Sequence, residues 1–114
     1  MASIIKRLVG PVQVATGPTT QYTVPANTKA RARHVHISNP SASIVTITIT
    51  IGADAAGTRL LSAYSVPANT DATTKGVVDF YWDEPLEPGE IITTSAGTNN
   101  ILVLTIGGEE RPIG

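Results

Sequence analysis

Apolar and polar residues alternate with a period of two along most of this chain. The clearest stretch is 43–51, where Val45, Ile47, Ile49 and Ile51 share one face and Thr46, Thr48 and Thr50 share the other. That is the pattern of a half-buried strand. Every residue from 44 to 51 is β-branched, which suits a pleated surface and disfavours helix. Further strands are predicted at 21–24, 29–38, 58–66, 76–82, 90–95 and 100–106. Turn clusters separate them: Asn39-Pro40-Ser41, the glycine-bounded 52–57, 85–89 and 96–99. Short strands with regular turn signals predict an all-β fold, an antiparallel sandwich or jelly roll of about eight strands with almost no helix.

Two near-identical heptapeptides punctuate this pattern. Tyr22-Thr23-Val24-Pro25-Ala26-Asn27-Thr28 and Tyr64-Ser65-Val66-Pro67-Ala68-Asn69-Thr70 differ only at Thr23 and Ser65. In each, Tyr-x-Val favours a strand, Pro ends it for want of a donor, and Ala-Asn suits a tight turn because Asn tolerates the left-handed region. A weaker echo links the segments ending Thr-Ile-Thr-Ile-Gly52 and Val-Leu-Thr-Ile-Gly107, as two similar halves of a two-sheet jelly roll would.

Three segments complicate the pattern. Residues 101–106 are apolar on both faces, so that strand needs cover from an arm, a loop or a neighbouring subunit. Residues 1–19 read as such an extended N-terminal arm, set apart from the sandwich by Gly10-Pro11 and Gly17-Pro18. Ile4, Ile5, Leu8 and Val9 give the arm a surface to bury on a neighbouring subunit, with Lys6 and Arg7 meeting acidic groups. The division is then an arm at 1–19, a sandwich at 20–109 and a tail at 110–114. In the predicted strand at 29–38, inward Val35 and Ile37 would send Arg31 and Arg33 inward too. Either the strand bulges near Arg33, or its first half runs past the core and shows Lys29, Arg31 and Arg33 to an acidic partner.

Charge is sparse and uneven. Charged residues make up 15% of the 114, against about 25% in ordinary soluble domains, which fits a surface lying against other protein. Residues 1–59 hold six cations and one acid, whereas residues 60–114 hold two cations and eight acids. That imbalance serves head-to-tail contacts, or cancels within one domain if strands of the two halves interleave. Six cations without interleaved aromatics are a poor nucleic-acid footprint. No run approaches the ~18 apolar residues of a membrane-spanning helix. Neither nucleic acid nor membrane is expected as a partner.

Candidate chemistry is thin. The chain has no cysteine, which removes disulfides and thiolate chemistry. No nucleophile elbow frames a serine, phosphate-binding patterns are absent, and the stretch around Asp54 lacks the carboxylates of a calcium loop. His34-Val35-His36 puts two imidazoles on one face of a strand, within reach of one ion. Cupin jelly rolls follow such a pair with a Glu and a third His. Here Pro40 and Ser41 occupy the Glu positions and there is no third His, so no metal or other cofactor is expected. Of Phe80-Tyr81-Trp82, Phe80 and Trp82 are expected to share a core face with Tyr81 peripheral. Tyr81 and Trp82 remain candidates for a partner interface or for stacking on a sugar.

The chain resembles small virion proteins of tailed bacteriophages over roughly residues 20–109. The resemblance rests on Tyr22-x-Val24-Pro25-Ala26-Asn27-Thr28, His36-Ile37-Ser38-Asn39, the Thr/Ile/Val strand, Leu86-Glu-Pro-Gly-Glu-Ile-Ile92 and Leu104-Thr-Ile-Gly-Gly-Glu109. It implies a non-enzymatic structural protein of the virion, assembled in the host cytoplasm, that decorates the capsid and stabilises the head shell. The implied partners are the major capsid protein or other virion subunits. A homo-oligomer is expected, and a trimer would suit local three-fold positions. Partner contacts would fall on Ile4, Ile5, Lys6, Arg7, Leu8, Val9, Arg31, Arg33, Tyr81 and Trp82. The alternatives are a tail or baseplate accessory and a carbohydrate-binding module for host attachment.

Overall fold

The computed structural model describes residues 3–53 and 55–113; Asp54 and the outermost positions of the expected arm and tail lie outside it. Eight strands follow one another: β1 (Ile4–Gln13), β2 (Thr19–Thr23), β3 (Thr28–Ser38), β4 (Val45–Ile51), β5 (Arg59–Val66), β6 (Val77–Leu86), β7 (Ile91–Ala96) and β8 (Val103–Pro112). They form two antiparallel four-stranded sheets, β1-β8-β3-β6 and β2-β7-β4-β5. The only helical element among the described residues is a single 3₁₀ turn at Ala56–Thr58.

The alternation predicted for β4 holds through its first half. Val45, Ile47 and Ile49 are buried while Thr46 and Thr48 are half-buried; Thr50 is then buried, and Ile51 only half-buried. Facing them across the core are Val35 and Ile37 of β3 and Leu104 and Ile106 of β8, all fully buried. Leu102 and Ile92 complete the core, with Phe80 and Trp82 packed at its margin. Each heptapeptide marks a corner where the chain leaves one sheet for the other, β2 to β3 and β5 to β6. Asn27 takes the expected left-handed conformation, at φ 55°. In the second, longer corner that role passes to Lys75 and Gly76, and Asn69 instead donates through Nδ2 to the Pro40 carbonyl.

The expected arm is in fact a strand of the sandwich. β1 pairs with β8 from Ile4↔Glu110 to Gln13↔Val103. Irregularities between Arg7 and Val9 and between Val9 and Val12 absorb Gly10-Pro11, so this dipeptide bends the strand and does not end it. Gly10 has φ +69°, and a Cβ there would lie 2.2 Å from the Leu104 carbonyl oxygen. The bend also splits the apolar set: adjacent Leu8 and Val9 both turn into the core, while Ile4 and Ile5 stay exposed. Leu8 and Val9 are therefore core residues of their own chain and unavailable to a partner. The predicted tail is also structured in part, since β8 continues to Pro112 and the Ile113 amide bonds to the Asn27 carbonyl.

β3 bulges at Arg33. Its register with both β6 and β8 shifts between Ala32 and His34. Ala30 and Ala32 point inward before the shift, Val35 and Ile37 after it, and Arg31, Arg33 and His34 all avoid the core.

Candidate binding face

The bulge sets the composition of the outer face of sheet β1-β8-β3-β6. Registers place Arg7 opposite Gly107, Gly107 opposite His34, and His34 opposite Tyr81, making one row across all four strands. A second row runs Thr105, His36, Asp79, and a third runs Ile5, Glu109, Arg31. Directly opposed residues of antiparallel strands share a face, so these side chains project together.

Gly107 supplies no side chain at the centre of the first row, and a Cβ there would meet nothing within 4 Å. The result is an open trough of about 570 Å³, floored by Gly107 and Gly108 and walled by Ile5, Lys6 and Arg7 on one side and Arg33 and His34 on the other. Gly108 is needed for a different reason. A Cβ there would lie 2.0 Å from the Arg31 carbonyl oxygen, so only glycine lets β8 approach β3 this closely.

Beside the trough Tyr81 stands 80% exposed. Its ring stacks on His34 with centroids 4.7 Å apart and planes 2° from parallel. Asp79 Oδ1 lies 2.8 Å from His34 Nε2 and 2.7 Å from His36 Nδ1. Hydrogen bonds from His36 and then His34 hold the Asp79 carboxyl below the usual carboxylate range. The three groups keep their potential ligand atoms within 4.8 Å of one another.

Of the cations predicted to meet acidic groups of a partner, Lys6, Lys29, Arg31 and Arg33 meet acids of their own chain. Arg31 Nη1 lies 2.9 Å from Asp83, Arg33 Nη1 3.2 Å from Glu109, Lys29 3.6 Å from Glu87 and Lys6 3.3 Å from Glu110. Every pair joins a cation from the first half to an acid from the second, so the uneven charge cancels through interleaved strands. Glu110 also accepts a hydrogen bond from the Tyr22 hydroxyl. Desolvation, then that hydrogen bond and the negative charge, push the Tyr22 phenol well above its ordinary value.

Of the predicted contact residues, Ile5, Lys6, Arg7 and Arg33 line the trough, with Arg31 and Tyr81 beside it on the same face. Ile4 is exposed opposite Glu110. Trp82 is half-buried and packs on Phe80, with ring centroids 6.1 Å apart, at the core margin. Sequence reasoning missed Asp79, Glu109 and Gly107. Asp79, Tyr81 and Asp83 do alternate in the sequence, but only the pairing of β6 with β3 brings Asp79 to the histidines.

The molecule thus belongs to the class of all-β two-sheet sandwiches, with a polar, trough-bearing outer face. Compared with known proteins, the chain matches no family model and no curated protein sequence.

Proposed function

We propose that this chain is a non-enzymatic structural protein of a tailed-phage particle. In this reading it is a capsid decoration protein that docks through the outer face of sheet β1-β8-β3-β6. The observation that carries the reading is the convergence of Ile5, Arg7, Arg33 and Tyr81, drawn from strands β1, β3 and β6, around one open trough. Arg and Tyr are the residue types that anchor interfaces, and a shallow trough with an exposed ring beside it suits an extended segment of a neighbouring protein. The strand order supports a jelly roll, since the eight strands form two four-stranded sheets with six of the seven connections crossing between them. Jelly rolls recur in viral capsid and lectin domains. Docked copies bridge neighbouring capsid subunits and hold the shell by buried contact area, and a trimer matches local three-fold positions.

The test is to mix tag-free protein with purified heads and tails of the phage that encodes it and to sediment each. Saturable binding to heads, lost when Arg33→Glu and Tyr81→Ser are combined, is the expected result. Binding to tails alone makes the protein a tail accessory, and binding to neither overturns the virion reading. A second reading, a carbohydrate-binding module, is favoured by the exposed Tyr81 ring backed by His34. Binding on a glycan array that Tyr81→Ala abolishes would replace the first reading with this one.

A further inference from the structure

We propose that His34, His36 and Asp79 form a surface site for a divalent transition-metal ion such as Zn2+ or Cu2+. Two imidazole nitrogens and one carboxylate are a donor set suited to these ions. The chain assembles it from two strands. β3 contributes the two histidines on one face, and β6 brings Asp79 directly opposite His36. The bulge at Arg33 turns His34 outward while Val35 and Ile37 remain in the core, and bulges commonly re-aim side chains beside functional sites.

The geometry is close to what an ion requires. A tetrahedral ion with bonds of about 2.0–2.2 Å holds its ligand atoms about 3.3–3.5 Å apart. The Asp79 oxygen must therefore withdraw from the two nitrogens by about 0.6 Å, and the nitrogens, within 4.8 Å of each other, must close to that spacing by a movement of up to about 1.4 Å. The half-exposed side chains leave room for that movement. Tyr81, stacked flat on His34, restricts the orientation of that ring. The cations on the same strand, Lys29, Arg31 and Arg33, are already turned to Glu87, Asp83 and Glu109, so their charge is largely compensated. Three protein ligands leave at least one position open to solvent or to a donor group on a docked partner. This site lies on the outer face of the sheet, not inside the sandwich.

Tag-free full-length protein stripped with chelator is titrated with ZnSO4 by calorimetry, and with CuCl2 while electron paramagnetic resonance is recorded. The expected result is one equivalent of Zn2+ bound with a Kd of about 50 µM or tighter. His34→Gln and His36→Gln should each weaken binding at least about tenfold, with Asp79→Asn weakening it as well. The copper spectrum of the unaltered protein should show hyperfine coupling to two nitrogens, a readout that does not depend on any variant folding. A Kd weaker than about 50 µM, an affinity unchanged in the His34→Gln/His36→Gln double variant, or coupling to fewer than two nitrogens overturns the proposal.

Discussion

At the scale of single residues, polar groups at the sandwich corners bear more weight than their hydropathy suggests. Asn39 is 1% exposed, just past the end of β3. Its Nδ2 donates to the carbonyls of Ser43, Val66 and Pro67, and its Oδ1 accepts from the Ser41 amide and hydroxyl. One side chain thereby ties the end of β3 to the start of β4 and the end of β5. Asn39→Ala leaves a buried carbonyl without its donor, and we expect a loss of about 2–3 kcal/mol in urea unfolding, at the upper end for such groups. Tyr22 gives a pH-dependent counterpart. Its pKa is raised in the fold, so the protonated phenol is the form the fold favours. The contribution is complete below the ordinary tyrosine pKa of about 10 and is lost as pH climbs above it. Unfolding free energies at pH 8 and pH 11 should therefore diverge less in Tyr22→Phe than in the unaltered chain. An equal loss in both would show that the Tyr22–Glu110 contact does not govern the alkaline limb.

At the scale of elements, β1 behaves as part of the sandwich. Leu8 lies in the core and Ile5, three residues earlier, is 88% exposed. Leu8→Ala should cost about 2–4 kcal/mol, whereas Ile5→Ala should change stability by less than about 0.5 kcal/mol. Removing residues 2–13 should lower the melting temperature sharply or abolish soluble expression, where a detachable arm would leave it unchanged. Legibility in the sequence tracked this distinction. β4 could be read directly, because an unbroken Thr/Ile alternation has one physical interpretation. β1 could not, because Gly10-Pro11 looks like a terminator unless the irregular pairing with β8 is known. The far ends of β6 and β8 were hidden for a related reason: Pro85 and Gly107-Gly108-Glu109-Glu110 are poor strand formers that tertiary pairing overrides. The conflict at Arg33 was visible, and one of its two resolutions, the bulge, is the one adopted. The third member of the His34–His36–Asp79 cluster was invisible, because 43 residues separate Asp79 from His36 and no local pattern encodes which strands become neighbours.

At the scale of the whole molecule, the two halves of the sequence are complementary. Their opposite charges meet across sheet β1-β8-β3-β6 in pairs that are mostly half-exposed, and such pairs contribute only about 0–1 kcal/mol each. They set which strands tolerate one another more than they hold the fold. What remains for a partner is the trough, the Tyr81 ring and Ile5, a face whose charge is already balanced. Docking there depends on shape and on a few anchors.

The place of β8 carries a consequence for how the chain is made. It is the last of the eight strands, yet it sits between β1 and β3 and supplies hydrogen bonds to both. A ribosome delivers about 5–20 residues per second, so β1 and β3 wait several seconds for the strand that joins them. During that interval each presents an unfilled edge, the kind of template on which a second chain can pair. Neighbouring ribosomes on one message hold many such edges close together. The hazard in making this protein therefore falls during synthesis, and it ends when β8 arrives.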